Sequence, residues 1–165
     1  MKTIADINRM TVEEFVAAFG DVAEHCPWVA RSAAEARPFA SRDAMIAAFE
    51  AALHSSDEAS QLALIRAHPD LATRAELTTD SSREQAGAGL DSLTPEEFSR
   101  FTDCNKAHWE KYGFPFIFAV KGASKHDILA AFEARNGNTT REERAVTLDQ
   151  ICRIFRFRIE DRVTL

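Results

Sequence analysis

Residues 94–120 read TPEEFSRFTDCNKAHWEKYGFPFIFAV, and the change of pattern inside this stretch decides the fold class. Its first part opens like a helix. Thr94 is a good N-cap, Pro95 suits the first helical position, and Glu97 stands at the third. Leu93 and Phe98 add a hydrophobic staple. The helix is expected to run on through Phe101, Asn105, Trp109 and Tyr112 to Gly113. From Gly113 to Val120 the helical period stops. The run Phe114-Pro115-Phe116-Ile117-Phe118-Ala119-Val120 is apolar and contains a proline. A buried strand is one reading, but no second convincing strand exists to pair with it. The pattern therefore predicts a buried extended strap over about 113–120. Its backbone donors and acceptors need partners from elsewhere, and a polar ligand could supply some of them.

Outward from this stretch, the chain is a series of capped, apolar-striped helices. Thr11 and Glu14 form a capping box with Met10 and Phe15 as staple, and Val12, Phe15 and Phe19 share a face that Gly20 ends. Pro27 suits the first turn of a helix bearing Trp28 and Val29. Met45, Ile46, Phe49 and Leu53 mark a third. Asp57 caps a fourth, through Leu62 and Ile65, that should stop at His68, because Pro69 disfavours helical backbone in the residue before it. Ser124 and Asp127 open a helix with Ile128, Leu129 and Phe132 that stops near Gly137. Thr140 and Glu143 have capping-box spacing before the final stripe of Leu148, Ile151, Cys152, Phe155 and Ile159. The expected fold is all-α, a single domain over 1–165, with one apolar extended segment.

The bulk properties narrow the function classes. A chain of 165 residues suits one domain. Its net charge of −6 argues against nucleic-acid or anionic-membrane partners. Arg153, Arg156, Arg158 and Arg162 alternate with apolar residues and read as the solvated basic face of a helix. Cys26, Cys104 and Cys152 are odd in number and contain no CxxC, which suits reduced thiols in the cytoplasm. No signal-peptide core is expected at the N-terminus, and Val163-Thr164-Leu165 is not a peroxisomal address. His25, His54, His68, His108 and His126 show no zinc-binding spacing, so no metal is expected. Ala86-Gly87-Ala88-Gly89 lacks the strand and lysine of a phosphate loop, and there is no GxSxG elbow.

Three places carry candidate chemistry. His68 sits at a predicted helix C-terminus, followed by Pro69 and Asp70; it either caps that helix or acts as an acid/base. Ser81 and Glu84 have capping-box spacing. If Glu84 does not fold back onto the cap, it and Gln85 present a carboxylate and an amide side by side. Such a pair can read the N–H and C=O groups of a urea or hydantoin. Arg135, near the end of its helix, either complements the helix dipole or offers a planar fork to a carboxylate or ureido oxygen.

Four phrases occur in order: His68-Pro69-Asp70-Leu71-Ala72, Ser81-Ser82-Arg83-Glu84-Gln85-Ala86-Gly87, Leu93-Thr94-Pro95-Glu96-Glu97-Phe98, and Tyr112-Gly113-Phe114-Pro115-Phe116-Ile117. With His25-Cys26-Pro27-Trp28-Val29 and Arg135, they resemble the 2-oxo-4-hydroxy-4-carboxy-5-ureidoimidazoline (OHCU) decarboxylase family from about Phe15 to Ile159. The resemblance implies an all-α fold of that family's own type, usually a homodimer, with no metal or organic cofactor. It also implies loss of CO₂ from a small carboxylated ureide to give (S)-allantoin, the last step from urate. Carried over by motif, His68 is the catalytic acid/base, with Glu84 assisting. Glu84, Gln85 and Arg135 hold substrate, Ser81 and Pro69 line the pocket, and Phe118, Ala119 and Val120 offer main-chain contacts. Tyr112 departs from the phenylalanine expected there. A hydrolase or isomerase of a related ureide, with Glu84 as base, and a non-catalytic helical interaction module are the rival readings.

Overall fold

The computed structural model describes residues 1–73 and 77–165. Among them are nine helices: α1 (Ile4–Asn8), α2 (Val12–Phe19), α3 (Trp28–Ala34), α4 (Arg42–Ser55), α5 (Glu58–Ala67), α6 (Thr79–Gly87), α7 (Pro95–Tyr112), α8 (Lys125–Arg135) and α9 (Thr140–Glu160). The described residues contain no strand, only an isolated bridge between Lys2 and Val163. No described helix is long and apolar enough to cross a membrane.

Most helix starts follow the sequence signals. Thr11, Thr94 and Ser124 each accept from the N3 backbone while the N3 carboxylate returns to the cap. The Asp57 side chain accepts from Ser60 N at 2.7 Å, so α5 starts as expected. It ends at Ala67, immediately before His68 and Pro69. At the end of α7, Gly113 takes the left-handed conformation (φ 77°) and donates to Trp109 O at 2.9 Å. Helix α1, capped by Thr3 and Asp6, is a turn too short for its pattern to announce.

Two starts differ from the expected register, and both differences bear on chemistry. The last helix is boxed by Thr139 and Glu142, not by Thr140 and Glu143: Thr139 N donates to Glu142 Oε2 at 2.8 Å, and Glu142 N to Thr139 Oγ1 at 3.2 Å. Glu143 is thereby released to the interior, where it is fully buried. Helix α6 is capped by Thr78, whose hydroxyl accepts from Ser81 N. Ser81 is thus inside the helix, and Glu84 lies in the second turn, not folded back on a cap.

The chain divides into two compact units. One comprises Met1–Ala67 with Cys152–Leu165. Here α3 packs against α2 and α4, and Phe15 meets Phe19, Phe39 and Phe49, with Phe49 edge-on to Phe155. Arg158 corrects the expectation of a wholly solvated basic face: it is buried and pairs with Glu24 at 2.8 Å. The other unit, His68–Ile151, contains every candidate site residue. Its core joins Leu71, Ala88, Phe101, Phe116, Val120, Ile128 and Phe132. Residues 115–120 carry no helix or strand, as expected of the strap. Phe116 is fully buried and stacks on Phe132 with ring centroids 3.6 Å apart. Burying one such ring stabilises by about 1.5–3 kcal/mol, which holds the middle of the strap to α8.

Candidate active site

The site is built around two pieces of irregular backbone, each held by side chains from neighbouring helices. The first is the turn that follows α5. His68 is buried, Pro69 and Asp70 are half-buried, and Leu71 and Ala72 are buried. Ala72 adopts a left-handed backbone conformation (φ 55°). For a residue with a Cβ this conformation costs about 1–2 kcal/mol and persists only where the surroundings enforce it.

Three side chains enforce it. Gln85 Oε1 accepts from Ala72 N at 3.0 Å, and Gln85 Nε2 donates to Asp70 O at 3.5 Å. Asn105 Nδ2 donates to Leu71 O at 2.8 Å. Trp109 Nε1 donates to Asp70 Oδ1 at 3.0 Å. Helices α6 and α7 therefore grip Asp70, Leu71 and Ala72 from two directions. The buried face of α6 carries Ser81, Gln85 and Ala88, with Glu84 half-buried beside them, at i, i+3, i+4 and i+7 spacing. Both polar ends of the Gln85 amide thus engage the turn's backbone, and Glu84 is the more exposed residue of the pair expected to read a ureide.

The second piece is the strap. Phe118 is half-buried, and Ala119 and Val120 are buried. Each of three helices sends one side chain to the strap backbone. From α7, His108 Nδ1 lies 2.9 Å from Phe114 O. From α8, Arg135 Nη1 donates to Ile117 O at 2.6 Å. From α9, Gln150 Oε1 accepts from Ala119 N at 2.9 Å. Of the main-chain groups of Phe118–Val120 expected to contact substrate, the Ala119 N–H is paired within the protein.

Behind the strap lies a buried charged cluster. Arg135 is turned inward: Nε donates to Glu143 Oε1 at 2.8 Å, Nη2 bonds the same oxygen and approaches Thr147 Oγ1 at 3.4 Å, and the guanidinium lies over Phe116, 4.1 Å from the ring centroid. His108 Nε2 stands 3.1 Å from Glu143 Oε1. Asn138 Nδ2 donates to Glu143 Oε2 at 3.0 Å. Burial pushes the Glu143 carboxyl up, but hydrogen bonds from His108, Arg135 and Asn138, with the charge of Arg135, outweigh it and hold it below the ordinary range. Tyr112 adds a hydroxyl within hydrogen-bond reach of the carbonyls of Arg135 at 2.9 Å and Asn138 at 2.7 Å.

The structure thus brings His68, Pro69 and Gln85 to one turn, aligns Ser81, Glu84 and Gln85 on one helix face, and gives Arg135 to the strap. Sequence reasoning missed Asn105 and Trp109 as turn anchors, and His108, Glu143, Thr147 and Gln150 as strap anchors. A signal for the last three was present: Glu143, Thr147 and Gln150 repeat at i, i+4 and i+7.

A family model described as OHCU decarboxylase matches residues 8–160. The chain is 40% identical over 160 residues to a 2-oxo-4-hydroxy-4-carboxy-5-ureidoimidazoline decarboxylase of Haloferax volcanii, covering 97% of this chain and 95% of that protein. It resembles the crystal structure of an (S)-allantoin synthase with TM-score 0.80 and 30% identity, over 98% of this chain and 54% of that one; this chain thus spans about half of that structure's length. A crystal structure of OHCU decarboxylase in the presence of (S)-allantoin matches with TM-score 0.70 over 93% of this chain and 98% of that one; at 17% identity it shares the fold.

Proposed function

This chain belongs to the OHCU decarboxylase family, and on that premise we propose that it decarboxylates 2-oxo-4-hydroxy-4-carboxy-5-ureidoimidazoline to (S)-allantoin and CO₂. The observation that supports His68 as its acid/base is the built turn: a buried histidine at a helix end, followed by strained backbone that three side chains hold in place.

Decarboxylation needs a destination for the electron pair of the breaking bond. The substrate's own imine, conjugated with that bond, takes it, so no metal or organic cofactor is required in this scheme. The protein orients the carboxylate out of the ring plane and keeps water away. His68 engages the hydroxyl and carboxylate side of the substrate. CO₂ leaves, and its electron pair forms a double bond to the neighbouring ureido-bearing carbon while the imine nitrogen takes up a proton. That ureido-bearing carbon is then protonated from that same side, while the hydroxyl gives up its proton and becomes a carbonyl. A histidine suits this role because an imidazole exchanges protons near neutral pH. Glu84 accepts ring or ureido N–H bonds and decides which face meets His68. Ser81 and Pro69 line the pocket, and Phe118, Ala119 and Val120 border the part of the substrate that does not react. Gln85 and Arg135 serve this arrangement through the backbone they hold. The family resemblance further implies a homodimer, and the cysteine pattern supports a reducing compartment such as the cytoplasm.

The substrate also decays without help, so speed and handedness are the test. Urate carried through oxidation and ring hydrolysis should release CO₂ faster in the presence of this protein and give (S)-allantoin in excess. Racemic allantoin at the uncatalysed rate overturns the proposal.

A further inference from the structure

We infer that Glu143 is a positioning residue for substrate binding: through Arg135 and His108 it sets the strap in the one conformation that presents Phe118–Val120 to the ureide. The inference rests on the decarboxylase reading above.

One carboxylate orients two side chains that end on the strap. Glu143 Oε1 takes Nε and Nη2 of Arg135 and faces Nε2 of His108. The far side of Arg135 bonds Ile117 O, and the far side of His108 meets Phe114 O. These two carbonyls are three residues apart, and between them Phe116 lies under the Arg135 guanidinium. The His108 ring thus stands between a strap carbonyl and the carboxylate, with its donor and acceptor roles set by its tautomer. Asn138 bonds the second oxygen and fixes the plane of the carboxylate. Beyond Ile117, Gln150 takes the Ala119 N–H. The peptide plane before Phe118 is therefore aimed by this cluster through Arg135, and the plane after it by Gln150.

Stability alone is a poor explanation for such a device. A buried ion cluster is often no more stable than apolar residues of the same volume, because desolvation offsets the attraction. What apolar packing cannot do is dictate where carbonyl oxygens point. An extended segment has no ladder or helix of its own to do so.

If the strap holds the unreactive part of the substrate, its contacts are equally strong before and during CO₂ loss. Loosening it should raise KM and leave kcat nearly alone. Glu143→Gln keeps the shape but turns an amide donor toward donors, and KM should rise roughly tenfold to a hundredfold, the worth of one charge-assisted bond. A merely structural role would lower the melting temperature and the amount of active protein, with KM unchanged. Asn138→Ala is the milder partner variant. It leaves the charge and the Oε1 bonds in place, and should raise KM by a few fold even if Glu143→Gln does not fold. Wild-type KM in Asn138→Ala and in any folded Glu143→Gln, beside an active wild type, overturns this inference alone. A wild type that leaves the allantoin racemic overturns the decarboxylase reading, and this inference with it.

Discussion

The turn after His68 and the strap from Phe114 to Val120 solve the same problem with different chemistry. Each is irregular backbone that no ladder satisfies. The turn's backbone is held by neutral groups, amides from Gln85 and Asn105, and its one charged side chain, Asp70, takes the indole N–H of Trp109 near the surface. The strap is held by a buried carboxylate with Arg135 and His108 arrayed on it. Neutral bonds are individually modest, near 1 kcal/mol net, and removing one leaves a tolerable defect. Removing one member of a buried charged set strands the others in a low dielectric, which is far more damaging. The turn can therefore be tuned one bond at a time, whereas the strap stands or falls as a unit.

The largest expected effect lies at the turn and is catalytic. His68→Asn keeps a polar side chain but removes proton exchange near neutral pH. Turnover should fall on the order of 10²–10⁴-fold, and the optical purity of the allantoin should degrade as water takes over protonation. The Gln85, Asn105 and Trp109 bonds remain, so the melting temperature should move less than for a large core truncation. Wild-type rate and handedness in folded His68→Asn would remove His68 from the mechanism.

The next effect sets the two regions against each other directly. Arg135→Ala strands Glu143 in the interior and should destabilise by about 3–5 kcal/mol. Gln85→Ala leaves the buried Ala72 N–H without its acceptor and should destabilise by about 1–3 kcal/mol. Their kinetic signatures should differ as well: KM should rise in whatever Arg135→Ala remains folded, while Gln85→Ala should mainly lower kcat by letting His68 wander. Urea unfolding with steady-state kinetics on both variants measures this. Equal destabilisation, or the same kinetic parameter moved in both, breaks the comparison.

The same contrast explains what the sequence disclosed. The turn is announced locally, because Pro69 ends α5 and exposes His68 as unusual. The strap is also announced, since an apolar run with Pro115 and no partner strand has few other homes. Its anchors were hidden for a physical reason. Glu143 follows Thr140 at capping-box spacing, and only the observed register, with Thr139 and Glu142 as the box, frees it. Arg135 at a helix end looks like a dipole partner or a ligand fork, and nothing local distinguishes either from an inward salt bridge. His108 has no metal-ligand spacing to single it out in the sequence, although it stands four residues before Tyr112 on the buried face of α7. Trp109, placed on that stripe by sequence, lies instead at the edge, 37% exposed, where its N–H reaches Asp70. Capping and periodicity are local, whereas these anchors become visible only once distant helices are brought together.

The smallest effect concerns acid. Glu143 is held below the ordinary carboxylate range in the folded protein. Where its carboxylate is ionised in the folded chain but protonated in the unfolded one, unfolding takes up a proton, so stability rises with pH. The contribution of Glu143 is therefore fully present above the unfolded carboxylate pKa, near 4.3, and is lost as pH falls through the lower folded value. The cap carboxylates Asp6, Asp57, Glu97 and Asp127 are lowered too, Glu97 to about 2 by Lys125 and the Thr94 cap. Acid unfolding of the wild type is thus a sum over the interior and the surface. Glu143→Gln isolates the interior part. The stability difference between wild type and Glu143→Gln, from urea unfolding at a series of pH values, should be level from neutral pH down to about 5 and shrink below it. Salt should change it little, because a buried cluster is poorly screened, whereas the cap contributions fade with added salt. A difference that stays level into strong acid would mean that Glu143 is not the ionised centre of the cluster, and the charged half of the comparison would then fail.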